Sequence, residues 1–164
     1  MRAETLAKMS PEEKEAFHRD CESKVKTLKY ERAPLSGRPK DFVPLAKTPL
    51  GRLTVQVVHE GGENNLHYHN NSDTTWFVLR GRVKFYGPGD VLIAELGPEE
   101  GIAIPGGARY WFEKAGDVDL ELMQYVSYDV TGGEAQRVNV EAHKDWMTEA
   151  NLHVYETSAT SASS

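Results

Sequence analysis

Two histidines, His67 and His69, stand two residues apart in a stretch that also holds Asn64, Asn65, Asn70, Asn71 and Asp73. Side chains two apart in a β-strand point to the same face, so the pair can aim two imidazoles at one point inside a β-barrel. Two imidazoles make half of a metal site, and they also exchange protons near neutral pH. In a chain with six histidines such a spacing can equally arise without function, so its surroundings decide its weight. Tyr110 is a second group able to donate or accept a proton. Gln56, Trp76, Trp111, Phe112 and Gln124 are polar and aromatic side chains that could wall a pocket around the pair. By alternation Trp76 and Val78 share the face of Thr74, and Phe112 shares that of Tyr110.

The elements that must hold these groups are short strands. Leu53–His59, Thr75–Leu79, Val83–Tyr86, Val91–Glu95, Ile102–Ile104, Arg109–Phe112 and Val118–Tyr128 are runs rich in β-branched and aromatic residues. GG, RG, GPGD, GPEEG, PGG and AGD separate them. Seven such runs at this spacing predict an antiparallel sandwich or barrel, so the fold class is all-β. Before them, Ser10, Pro11, Glu12 and Glu13 form a helix start, with a cap, a proline in the first turn and carboxylates near the positive end of the dipole. They predict a helix over Pro11–Val25. Pro34, Pro39, Pro44 and Pro49 predict an extended arm with short edge-strand pieces. Gln136–Val140 reads as a further strand, Glu141–Ala150 as a short helix, and the tail TSATSASS as disordered. The organisation expected is residues 1–50 as helix and arm, 51–130 as the barrel, and 131–164 as a C-terminal extension.

Composition narrows the function classes. The chain has 164 residues and a net charge of -6, from 19 Lys+Arg and 25 Asp+Glu. Residues 1–40 carry 10 basic and 7 acidic side chains (net +3), leaving 9 and 18 (net -9) for the rest. An acidic body disfavours a nucleic-acid partner, and the basic leader interleaves Glu and Asp as a solvated helix face does. No apolar run approaches the roughly 18 residues of a membrane span. A single cysteine, Cys21, excludes an internal disulfide framework, and with no signal sequence visible the expected compartment is the cytoplasm. There is no phosphate loop, dinucleotide fingerprint, nucleophile elbow or zinc-spaced Cys pair.

Residues 50–130 resemble the cupin superfamily. In the first cupin motif, G-x5-H-x-H-x(3 or 4)-E-x6-G, His67, His69 and Gly81 stand in place and Gly62 falls one residue closer than the leading Gly. Pro105, Gly107 and Tyr110 echo the second, G-x5-P-x-G-x2-H-x3-N. Thr74 occupies the place of the family's Glu ligand, Tyr110 that of its third His, and Lys114 that of its Asn. The resemblance implies a single double-stranded β-helix, or jelly-roll barrel, with the N-terminal helix and a short C-terminal helix added. It further implies a homodimer, with the proline-rich arm as the segment that crosses to the partner.

Three functions follow for the altered site. The first is a metal-dependent small-molecule enzyme, an oxygenase acting on an aromatic or polyketide-like substrate. His67 and His69 would hold Fe(II), or Mn, Ni, Cu or Zn, and Tyr110 or Asp73 would supply an oxygen, although the register from Gly81 turns Asp73 to the opposite face. The second is a metal-independent isomerase or cyclase using Tyr110 and the His pair as acid and base. The third is a barrel that binds its ligand without turning it over. In each, Gln56, Trp76, Phe112 and Gln124 are the candidate substrate contacts. His143 and His153 could approach the site if the C-terminal segment lids the barrel. Arg80, Arg82 and Arg109 are candidate carboxylate contacts, the last two on the wrong parity for the pocket.

Overall fold

The computed structural model describes residues 6–32, 36–129, 131, 135–147 and 153–154. The chain divides into two compact units, one N-terminal up to Leu28 and one spanning Lys29–Thr157. The first carries helix α1, Pro11–Glu22, opened by a capping box in which Ser10 accepts from the Glu13 N–H and Glu13 reaches back to the Ser10 N–H. Helix α1 stops three residues before the expected Val25 and buries none of its residues. Cys21 and His18 on it are exposed. None of the described helices is long and apolar enough to cross a membrane.

The second unit is built from strands. They are β1 (Lys40–Thr48), β2 (Gly51–Val58), β3 (His67–His69), β4 (Ser72–Arg80), β5 (Arg82–Tyr86), β6 (Leu92–Leu96), β7 (Gly101–Ile104), β8 (Trp111–Ala115), β9 (Leu120–Tyr128), β10 (Arg137–Asn139) and β11 (His153–Val154). Six of them form one sheet in the order β11-β1-β2-β9-β4-β7. The others form β10-β3 and β6-β5-β8, and a bridge between His67 and Tyr110 stitches these two pieces together. β4 alternates buried Ser72, Thr74, Trp76 and Val78 with exposed partners, the period-2 pattern of a strand wet on one face. Trp76, Phe85, Tyr110 and Phe112 fill the interior with Val58, Val78, Val83, Ile104, Leu120 and Leu122.

All seven expected strands are present, with ends displaced by a few residues. The arm differs. Instead of edge fragments, Lys40–Thr48 is a nine-residue strand that pairs with β2 of its own chain from Lys40↔Val58 to Thr48↔Gly51. Pro44 is accommodated because the register shifts between Pro44 and Ala46, and a bulge tolerates a residue that cannot donate to the ladder. The expected helix over 141–150 is absent from its described part. Residues 141–147 run as bends and a turn at Asp145–Trp146, and the ring of Trp146 is buried with its Nε1 donating to the Glu63 carbonyl at 2.8 Å. The tail lies outside the described residues.

Two of the motif glycines have local causes. A Cβ at Gly62 would stand 2.1 Å from the Pro39 carbonyl oxygen, so the chain closes there only without a side chain. Gly81 turns β4 into β5 at φ +79 and would press a Cβ to 2.7 Å from the Asp119 carbonyl oxygen.

Candidate functional site

Strand pairing explains how the site assembles. On β3, His67 and His69 point inward. β10 lies antiparallel to β3 in the register Arg137↔His69 and Asn139↔His67, and on the other side His67 bridges Tyr110 through two backbone hydrogen bonds of 3.1 and 2.9 Å. Directly paired residues share a face, so the wall carries Tyr110, His67 and Asn139 in one row and His69 with Arg137 in the next. The facing sheet contributes a row through Pro44, Thr54, Gln124 and Trp76, each paired with the next across β1, β2, β9 and β4. Between the two lies a cavity of about 700 Å³, in the size range of small-molecule sites.

His67 is held firmly. Its Nδ1 lies 2.8 Å from the Asn65 carbonyl, which can only accept, so Nδ1 bears the proton and Nε2 keeps its lone pair. Its ring packs 5.1 Å from that of His69 and 4.6 Å from that of Tyr110. Burial first, and the Arg137 guanidinium second, push the His67 pKa down to about 3 and that of His69 to about 4. Both imidazoles are therefore neutral at physiological pH. Tyr110 moves the other way: burial pushes its phenol up to about 12, against Trp76, Arg137 and Thr74, which all favour the anion. The wall thus offers neutral lone pairs beside a protonated phenol.

Six buried side-chain polar atoms lack a hydrogen bond among the described residues, of which Tyr30 Oη and Ser72 Oγ do not line the cavity. Gln56 Oε1, Thr74 Oγ1, Trp76 Nε1 and Tyr110 Oη are buried without a hydrogen-bond partner among the described residues. Of these, Gln56, Trp76 and Tyr110 line the cavity, and the Trp76 and Thr74 side chains stand close enough to the Tyr110 oxygen to favour its anion. Gln56 also donates to Gln124 Oε1 at 3.1 Å, which fixes both amides.

As a metal site the donor set is incomplete. Among the described residues no group of three or more His, Cys, Asp or Glu side chains is placed to hold an ion. Asp73 is exposed and accepts from the Gly106 N–H at 2.8 Å, facing away from the histidines as its register requires. The available donors are two neutral imidazoles and a protonated phenol, with the guanidinium of Arg137 against the same wall. A two-His, one-carboxylate centre needs an anionic ligand, and no described residue of this wall supplies one, so the described residues alone do not complete such a centre.

Of the residues singled out in the sequence, His67, His69, Tyr110, Gln56, Trp76 and Gln124 line the cavity. Phe112 does not: its ring is fully buried in the aromatic cluster, 5.1 Å from Trp76 and 5.4 Å from Phe85. Trp111 stacks on Tyr86 at 4.4 Å, away from the His wall. Arg80 and Arg82 pair with Glu121 and Glu95 at the surface. Sequence reasoning missed Arg137, which only the β3–β10 register brings opposite His69, and Lys40. The Lys40 side chain is fully buried, donates to Asn64 Oδ1 at 2.5 Å and lies 4.6 and 4.9 Å from the rings of Phe112 and Trp146. Burial, then Arg137, holds its amine well below the ordinary lysine value. His143 lines the cavity, linked to Asn139 Nδ2 at 2.7 Å; the side chain of His153 lies outside the described residues.

No protein-family model matches the chain, and no curated protein does. Solved structures do match, the following ones at low identity. The cupin domain of Schizosaccharomyces pombe Cnp3 aligns at 16% identity and a TM-score of 0.52, over 66% of this chain and 72% of that one. A Klebsiella pneumoniae protein with a double-stranded β-helix domain aligns at 17% and 0.51, over 65% of this chain and 90% of that one. A tomato vicilin aligns at 18% and 0.47, and this chain covers 25% of its length. With the strand order and the two facing sheets, the first two matches make the fold a cupin-type double-stranded β-helix.

Proposed function

We propose that this chain is a metal-independent acid–base enzyme that moves a proton within a small organic substrate held in the cavity, an isomerase or cyclase in reaction type. The observation that carries this reading is the neutral His67, its Nε2 lone pair free, packed 4.6 Å from the protonated phenol of Tyr110. In this reading Nε2 accepts a proton from an acidic C–H or O–H of the substrate. The oxyanion or enolate that develops is stabilised by the Tyr110 O–H and Trp76 N–H, both of which line the cavity, with the Thr74 side chain beside the phenol. Such donors are set in place before reaction and cost no reorganisation during it. His69 borders the base, and Gln56 and Gln124 meet the polar groups of the substrate.

The experiment is proton exchange. Candidate carbonyl compounds are incubated with the protein in D2O, and NMR reads loss of the α-proton signal. Exchange is expected with the wild type and should fall roughly 10²–10⁴-fold in His67→Ala and in Tyr110→Phe. Exchange equal in wild type and both variants would remove these residues from the chemistry.

A second reading keeps the metal-dependent oxygenase, with Fe(II) or Mn, Ni, Cu or Zn on His67 and His69. What favours it is the adjacency of the two rings and the oriented Nδ1 of His67, an arrangement that also serves metal-binding imidazoles. It predicts oxygen consumption with substrate, which the proton-transfer reading does not.

A further inference from the structure

The cavity is an electropositive chamber in an acidic protein. With a net charge of -6 the chain has an excess of carboxylates, yet among the described residues none that lines the cavity is Asp or Glu, while Lys47, Arg52 and Arg137 all line it. Arg137 is only half exposed, and its contacts are neutral. Nη2 donates to Asn65 Oδ1 at 2.5 Å, and Nη1 donates to Asn139 Oδ1 and lies 3.5 Å from His143 Nε2. No carboxylate of the described residues pairs with it, unlike Arg32, Arg80 and Arg82, which all have acidic partners. A guanidinium taken partly out of water without a counter-ion is costly, and its two asparagine contacts orient it without neutralising it. Arg137 stands opposite His69 in the β3–β10 register, and Arg52 lines the same cavity.

We propose that Arg137 and Arg52 form the anchor for a carboxylate group of the substrate, held beside His69. A planar guanidinium presents paired N–H donors that match a carboxylate. The rest of the ligand meets the apolar side chains that line the same cavity, Phe42, Leu45, Trp76, Trp146 and Met147, so the substrate class is a carboxylate on an apolar or aromatic body. The proposal deepens the proton-transfer reading and rests on it only in taking the same cavity as the substrate site.

The test is calorimetric binding of benzoate, phenylacetate and cinnamate to the full chain, each compared with its primary amide. The acids are expected to bind, and the amides to bind roughly tenfold to a hundredfold more weakly, the scale of a lost charged hydrogen bond. Arg137→Gln should weaken the acids by a similar factor without changing the amides, and Arg137→Lys should restore part of the loss. Arg52→Gln, at an exposed position that leaves the wall intact, should act in the same direction. No binding by any acid, equal binding of acid and amide, or acid affinity unchanged in both Arg137→Gln and Arg52→Gln would overturn the anchor. Phenyl phosphate binding more tightly than every carboxylate would overturn the class. Selective carboxylate binding by a wild type that exchanges no protons sinks the proton-transfer reading and leaves the anchor standing.

Discussion

Tyr110 is where stability and chemistry pull apart. Its hydroxyl is buried and meets no hydrogen bond of good geometry, with only the Trp76 and Thr74 side chains beside it, a state that costs the fold about 1–3 kcal/mol, and phenylalanine fills the same space without that oxygen. Tyr110→Phe should therefore raise the melting temperature by roughly 2–4 °C for each kcal/mol recovered, while lowering proton exchange roughly 10²–10⁴-fold. A lower melting temperature would mean the hydroxyl has a structural partner. The imidazoles set a pH dependence. Their values fall from 6.5 to about 3 for His67 and about 4 for His69, so below pH 6.5 the unfolded chain takes up protons that the folded chain refuses. Stability contributed by their neutrality is fully present above pH 6.5 and is lost as the pH falls toward 4 and then 3. Urea midpoints measured from pH 7 to 4 should fall, and His69→Gln should flatten the slope; an unchanged slope would contradict the burial of His69. His67, His69 and Tyr110 were legible as inward-facing groups because strand parity follows from spacing alone. Phe112 was misplaced for a related reason: parity gives the face of a strand, and it says nothing about depth along the barrel.

Strand punctuation was the clearest signal between residues 51 and 130, where Gly, Pro, Asn and Asp bound each run. It failed at β1, because proline argues against a strand and the bulge at Pro44 that admits it leaves no mark in the composition. It failed again at residues 141–147, where helix-forming residues follow Trp146 into a turn that buries its ring. The register of β10 against β3 was the costliest loss, since it alone sets Arg137 opposite His69. The two-residue spacing of Arg137 and Asn139 mirrors that of the histidines, but which strand it would meet was not written locally. Gly62 tests the closure beneath the site. Gly62→Ala drives a Cβ into the Pro39 carbonyl and should cost about 1–3 kcal/mol or more in urea unfolding. Gly87→Ala, whose nearest neighbour is Ile93 Cδ1 at 3.7 Å, should stay within about 0.5 kcal/mol of wild type. Equal costs at the two positions would contradict the close approach at Gly62.

The same double-stranded β-helix can carry a metal, a proton-transfer pair or a passive ligand, so fold alone does not choose among them. The proposed reading rests on what stands at the ligand positions. Thr74 and Tyr110 replace two expected ligands with groups that donate hydrogen bonds, and Arg137 adds a positive charge where an ion would need a negative one. The most direct measurement is elemental analysis of purified, untagged protein after reconstitution with each divalent ion, beside a His67→Ala, His69→Ala double variant. A proton-transfer site of this kind should retain no transition metal that depends on the two histidines. Near-stoichiometric iron, manganese, nickel, copper or zinc in the wild type, absent from the double variant, would contradict it and return the site to metal chemistry.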